Sequence, residues 1–182
     1  MEDYLRLEEG ATERHEYVDG RLFARVGASD THSLIVFNAV MALGGRTREA
    51  QCRLYAESMK LRVSPGVFYY PDLMVICDPR DDEAYFKRRP CLILEVLSPS
   101  TERVDRGEKL FNYRQIETLE AYLLVHQDQA RVEVYARAED GKWSYEVLDG
   151  TGSITLPCPE GELALSELYD GVTVSGPPFR EG

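Results

Sequence analysis

Two apolar runs set the terms for the rest of the chain. Val67–Ile76 carries one acid, Asp72, directly after Pro71, and Cys91–Leu97 carries one acid, Glu95, between Leu94 and Val96. Runs that are apolar at almost every position, rather than at every second one, read as strands covered on both faces. That places them in the middle of a helix-flanked sheet. A carboxylate in such a strand is costly to bury unless it is hydrogen-bonded, paired or bound to a metal. Two of them on adjacent strands bring together the oxygen donors that hard divalent cations such as Mg2+ prefer. After Glu95 come Ser98-Pro99-Ser100-Thr101 and a polar helix over about 102–116. On it Asp105, Lys109 and Tyr113 are spaced by four and share one face.

The remaining pattern fits around these strands. Arg14–Arg25 alternates about Asp19-Gly20, a strong hairpin signal. Ser29-Asp30-Thr31 offers caps for a helix over about 31–43, with Leu34, Ile35, Phe37, Val40 and Met41 as its buried stripe, His32 and Asn38 off it, and Gly44-Gly45 as its stop. A strand over about 52–63 ends at Ser64-Pro65-Gly66, and Asp78–Pro90 reads as a charged surface loop. A strand at 120–125 precedes a hairpin, Arg131–Ala136 with Trp143–Leu148, turning at Glu139-Asp140-Gly141. The stretch 150–182 is rich in turn residues, and Ser175-Gly176-Pro177-Pro178 begins a tail at 175–182. The expected architecture is α/β: one mixed sheet layer flanked by helices, with N-terminal and C-terminal β-hairpins. It forms a single domain over 1–182 with its core at about 14–137.

Composition narrows the function classes. With 43% hydrophobic and 29% charged residues, the chain can fill a globular core. No apolar run is long enough for a membrane span, and the acidic start, Met1-Glu2-Asp3, lacks a signal-peptide core, so a cytoplasmic location is expected. Cys52, Cys77, Cys91 and Cys158 show neither C-x-x-C nor zinc-finger spacing and read as buried, reduced thiols. His15, His32 and His126 lack metal-ligand spacing. A net charge of −11 argues against a broad nucleic-acid-binding face. Contact with DNA would need a local patch, for which Arg103, Arg106, Lys109, Arg114 and Lys87-Arg88-Arg89 are the candidates.

Pro71-Asp72, Glu95 in its apolar strand and the helix that follows resemble the PD-(D/E)XK nuclease superfamily, the restriction-endonuclease-like fold. The closer resemblance is to the Uma2 family of bacterial domains. It rests on Glu16-Tyr17-Val18-Asp19-Gly20, His32, Tyr70-Pro71-Asp72, Glu95-Val96-Leu97-Ser98-Pro99-Ser100-Thr101, Asp105-Arg106, Lys109 and Tyr113, and covers roughly residues 4–135. The resemblance implies a Mg2+- or Mn2+-dependent endonuclease acting on DNA, with Asp72 and Glu95 as metal ligands and Glu16 as a further acid of the metal site. The superfamily places a lysine two residues after the glutamate, where this chain has Leu97. Lys109 resembles the migrated lysine known in the superfamily, giving a catalytic set of Asp72, Glu95 and Lys109 with His32, Asp105 and Tyr113 as accessories.

Plain structural roles stand beside each of these. Asp72 suits the start of a strand or a pair with an arginine, Lys109 a solvated helix face, Asp105 a capping box with Glu108, Tyr113 the core, Glu16 a solvated hairpin face, and His32 a local hydrogen bond. Leu97 and the acidic charge favour a second reading, a non-catalytic nucleic-acid or protein binding module on the same fold. An acid-pair glycosidase fits less well, without an aromatic groove signature. Tyr135, Trp143 and Tyr145 give the C-terminal hairpin an aromatic edge suited to a homodimer.

Overall fold

The computed structural model describes residues 2–25 and 27–174. The expected tail at 175–182 lies outside the described residues. The chain starts with helix α1 (Glu2–Glu9), followed by strands β1 (His15–Val18) and β2 (Arg21–Ala24). These two form the expected hairpin, turned by left-handed Asp19 (φ 46°) and Gly20 (φ 90°).

Helix α2 runs from Asp30 to Glu49, six residues beyond the expected stop at Leu43. Ser29 caps it by accepting from the His32 N–H at 3.1 Å. Gly44 and Gly45 lie inside it because the turn beyond them is anchored: Thr47 is buried and its hydroxyl donates to the Leu43 carbonyl at 2.7 Å. The helix ends instead at Ala50, before left-handed Gln51. Its buried stripe is also rotated from the expected one. Phe37 and Met41 are 58% and 66% exposed, whereas Ile35, Val36, Ala39, Leu43, His32 and Asn38 are buried. The polar members of the stripe have partners, Asn38 donating to the Leu168 and Asp170 carbonyls at 3.0 and 2.9 Å, which is why the hydrophobic pattern misassigned them.

The expected single sheet divides in two. The stretch expected as one strand over 52–63 becomes β3 (Arg53–Ala56) and β4 (Lys60–Ser64). The first apolar run likewise becomes β5 (Val67–Tyr69) and β6 (Leu73–Ile76). Pro71 has no N–H for a ladder, and the chain leaves one sheet at Tyr69 and enters the other at Leu73. β3 and β6 join a six-stranded sheet with β8 (Leu92–Leu97), β9 (Ala121–His126), β10 (Arg131–Arg137) and β11 (Trp143–Asp149), in the order β11-β10-β9-β8-β6-β3. β8 and β9 are its parallel pair; its other pairs are antiparallel. β4 and β5 join a five-stranded sheet, β2-β1-β5-β4-β7, whose edge β7 (Phe86–Lys87) falls within the expected loop. A further hairpin, β12 (Ser153–Pro157) and β13 (Glu160–Ala164), leads to a short helix at Leu165–Leu168 within the turn-rich stretch.

Alternation along β8 sorts its side chains between two cores. Leu92, Leu94 and Val96 pack with Ile35, Val36, Ala39 and Leu43 of α2 and with Ile154, Leu156 and Leu163 of the last hairpin. Ile93 and Leu97 pack on the other side with Leu61, Tyr69, Tyr113, Tyr122 and Leu124. Each such fully buried aliphatic side chain contributes about 1.5–3 kcal/mol. Glu95 has the parity of Ile93 and Leu97 and therefore emerges in the second core.

The four cysteines correct the expectation of reduced thiols. Cys52 is joined to Cys77 and Cys91 to Cys158 by disulfides across sequence separations of 25 and 67. Strand register explains the first pair: Arg53 lies opposite Ile76, so Cys52 and Cys77 are the next position along.

Candidate metal and catalytic site

The register that joins β6 to β8 builds the site. Leu73 faces Leu94 in an antiparallel ladder, which carries Asp72 opposite Glu95 one position on. The two acids then bind each other's strand: the Asp72 N–H donates to Glu95 Oε2 at 3.2 Å, and the Val96 N–H donates to Asp72 Oδ2 at 2.8 Å. Both side chains are buried.

The segment after β8 supplies the cation. It is helical over Glu102–Tyr113 but contains a π turn at Asp105–Lys109, where the Leu110 N–H reaches the Asp105 carbonyl five residues back. Such π turns are rare and recur at functional sites. Asp105, Lys109 and Tyr113 all end up buried on the sheet side. Lys109 Nζ lies 3.0 Å from Glu95 Oε1, 3.1 Å from Asp105 Oδ1 and 3.4 Å from Glu16 Oε1. The Asp105 contact has ion-pair distance without hydrogen-bond geometry. Tyr113 donates its hydroxyl to Glu95 Oε1 at 2.9 Å, and Glu16 Oε1 accepts the Tyr70 N–H at 3.1 Å. His32 Nε2 is 3.4 Å from Asp72 Oδ1. Asp72, Glu95, Lys109, Glu16, His32, Asp105 and Tyr113 thus belong to one connected network. Leu97 packs in the core beside it, and the ammonium from the following helix meets the glutamate instead.

Arg25 is the member that the sequence reading lacked. Its Nη2 donates to Asp72 Oδ1 at 2.9 Å and its Nη1 to the Glu57 carbonyl at 2.9 Å. It directly follows β2, and no spacing rule links it to a residue 47 positions away.

Electrostatics separates the two acids. Burial works against ionising Asp72, but contact with His32, the Lys109 ammonium and the Val96 N–H together hold its carboxyl below its ordinary range. Burial pushes Glu95 up to about 8; Lys109 opposes that, while Asp72, Asp105 and Glu16 add to it. Burial alone would depress Lys109, yet the surrounding acids, Glu95 first, hold it well above its usual value. Two carboxylates driven apart by their surroundings are a recurrent feature of acid–base and metal sites.

Four acids, Glu16, Asp72, Glu95 and Asp105, meet two permanently cationic partners, Lys109 and Arg25. With its carboxyl pushed up to about 8, Glu95 would need a further cation beside it to be held ionised at neutral pH, which a divalent ion could supply. Among the described residues, no three of these acids offer oxygens all within 4.8 Å of one another. Asp72 and Glu95 are the residues that could offer a divalent ion the one or two carboxylates through which magnesium is usually held.

The expected basic patch is largely engaged within the molecule. Arg106 pairs with Glu102 and Glu133 at 3.1 and 2.7 Å, Arg114 stacks on Tyr135 and Trp143, and Lys87 and Lys109 are buried. Arg103 and Arg88 are exposed. Hydrophobic periodicity cannot foresee that an arginine will be used by its own neighbours.

Both the sequence and the fold have matches among known proteins. The family model Uma2, described as "Putative restriction endonuclease", matches residues 1–166. An uncharacterized protein of Synechocystis sp. (strain ATCC 27184 / PCC 6803 / Kazusa), slr1290, is 38% identical over 173 residues, 94% of this chain and 91% of that protein. A second from the same organism, sll1609, is 35% identical over 152 residues, 81% of this chain and 86% of its own length. A crystal structure described as "a putative nuclease belonging to DUF820" from Anabaena variabilis ATCC 29413 superposes with a TM-score of 0.74 at 18% identity, covering 93% of this chain and 98% of that one. It shares the fold. Among the described residues, no helix is long and apolar enough to cross a membrane.

Proposed function

This chain belongs to the Uma2 family, and we propose that it is a Mg2+- or Mn2+-dependent endonuclease that hydrolyses DNA phosphodiester bonds. The observation that carries the reading is the Lys109 ammonium 3.0 Å from Glu95, on a network that also holds Asp72. Asp72 and Glu95 would hold the metal, with Glu16 as a further acid nearby. When bound, the ion supplies a more acidic water and a counter-charge for the phosphoryl oxygens.

The chain's own residues do the rest. Lys109 holds the attacking water and faces the charge that develops on the phosphate. Tyr113 fixes Glu95 by donating to Oε1, leaving Oε2 toward Asp72. His32 and Arg25 orient Asp72 through Oδ1. Arg25 is partly exposed and is the cation best placed to meet a phosphate of the substrate. Asp105 shares the Lys109 ammonium, so that the lysine is held charged and in place.

The test is cleavage of supercoiled plasmid with magnesium or manganese, beside an Asp72→Ala control. Metal-dependent nicking that disappears in the variant supports the reading. Equal product from both proteins, or none from either, overturns it. The engagement of Lys109 with three carboxylates inside the molecule favours a second reading, a binding module on the same fold. Calorimetry separates the two, because a non-catalytic module shows no metal binding that depends on Glu95.

A further inference from the structure

At the other end of β6 and β8 the four cysteines form a single cluster. Cys52 precedes β3, Cys77 follows β6, Cys91 precedes β8, and Cys158 lies between β12 and β13. The two disulfides touch: Cys77 Sγ is 3.2 Å from Cys158 Sγ and 3.6 Å from Cys91 Sγ. The sulfurs of Cys77, Cys91 and Cys158 all lie within 4.8 Å of one another; Cys52, bonded to the first of them, stands outside that group and turns inward to complete it once its disulfide is opened. Sulfurs at the corners of a tetrahedron about zinc, each ~2.3 Å from the ion, are ~3.8 Å apart. The contacts between the two pairs are already near that spacing.

We propose that in the reduced protein Cys52, Cys77, Cys91 and Cys158 bind one zinc ion as a closed tetrathiolate centre. The centre clamps the terminal hairpin to the edge of the six-stranded sheet and is separate from the carboxylate network. Each disulfide is opened by a dithiol reductant, which gives two electrons and two protons and closes to its own disulfide. Zinc then replaces the four thiol protons. The resulting centre carries two negative charges. Beside it, three guanidiniums, Arg53, Arg80 and Arg89, gather around Asp78, the residue after Cys77: Arg53 donates to its carbonyl at 3.0 Å, and Arg80 and Arg89 reach its carboxylate at 2.6 and 3.5 Å. Cys91 and Cys158 are buried and Cys52 and Cys77 half-buried, as suits a site with no position left open to substrate.

This inference does not depend on nuclease activity. The full-length protein is reduced with dithiothreitol without oxygen, freed of metal, and titrated with Co2+ and then Zn2+. The expected result is one cobalt per chain with the sulfur-to-cobalt charge-transfer band and strong visible bands of tetrahedral thiolate ligation, bleached by zinc. Oxygen ligation by the acids gives no such charge-transfer band, so the two sites are told apart in one spectrum. Cys158→Ser is expected to weaken zinc at least ~10-fold. Cys52→Ser, at the opposite side of the cluster, gives the same readout should loss of Cys158 unfold the terminal hairpin. Disulfides that resist the reductant, a reduced protein without the charge-transfer band, or wild-type affinity in both variants overturns the proposal.

Discussion

The same two strands carry opposite chemistry at their two ends. Where β6 begins, Asp72 faces Glu95 of β8 amid Lys109, Arg25 and Tyr113. Where β6 ends, Cys77 meets Cys91 and, through them, Cys52 and Cys158. The β6–β8 register brings Asp72 to Glu95 at one end and Cys77 near Cys91 at the other, and the β3–β6 register and the last hairpin add Cys52 and Cys158. The acid end is held by hydrogen bonds and ion pairs among its own buried groups; the sulfur end is held by covalent bonds, with its ion pairs around Asp78 to one side. A buried acid has to be compensated locally, so its partners are close and several. A buried cysteine needs no partner to be tolerated, so what it meets is decided by the fold alone.

Substitutions break the comparison most sharply at the acid end. Asp72→Ala or Glu95→Ala is expected to lower metal-dependent plasmid cleavage by ~100-fold or more, while the cobalt–thiolate spectrum stays at wild-type intensity. A fall in both signals would show that the two ends are one cooperative unit. Lys109→Met is expected to lower cleavage ~100-fold and to destabilise the fold by about 3 kcal/mol in denaturant unfolding, because buried carboxylates lose their shared cation. Wild-type stability would show that water or a metal already satisfies those acids.

The pH dependence isolates Glu95. Its carboxyl is raised from 4.5 to about 8, so its contribution to stability is complete below about pH 4.5 and is lost as pH rises toward 8. In chelator, the melting temperature of the wild type is expected to fall relative to Glu95→Gln across that window, and magnesium is expected to narrow the gap at its alkaline end. A parallel pair of curves would contradict the raised carboxyl. Tyr113→Phe removes one hydrogen bond to Glu95 and is expected to cost about 1 kcal/mol of stability, with a smaller loss of cleavage than Lys109→Met. Cys52→Ser, remote from the acids in the ladder, should leave cleavage within about twofold of wild type.

The two ends were unequally legible. Asp72 and Glu95 stood out because an acid in an apolar run is expensive wherever it lies, and Lys109 and Tyr113 followed from helical spacing. The true stripe of α2 was hidden because Asn38 and His32 are buried through hydrogen bonds that periodicity ignores, while Phe37 and Met41 are exposed. The split into two sheets turned on Pro71 within a run that otherwise reads as continuous. Arg25 left no local trace, since its partner is 47 residues away.

By itself, the sequence determined that two central strands would carry acids needing a cation, and that a helix with Asp105, Lys109 and Tyr113 on one face would follow them. These are consequences of desolvation and of helical and strand periods, which act over a few residues. Only the tertiary structure decided that Asp72 would sit opposite Glu95, that the ammonium would come from a π turn in place of Leu97, and that four distant cysteines would meet. Those outcomes depend on strand register and sheet order, which are set by packing across the whole chain.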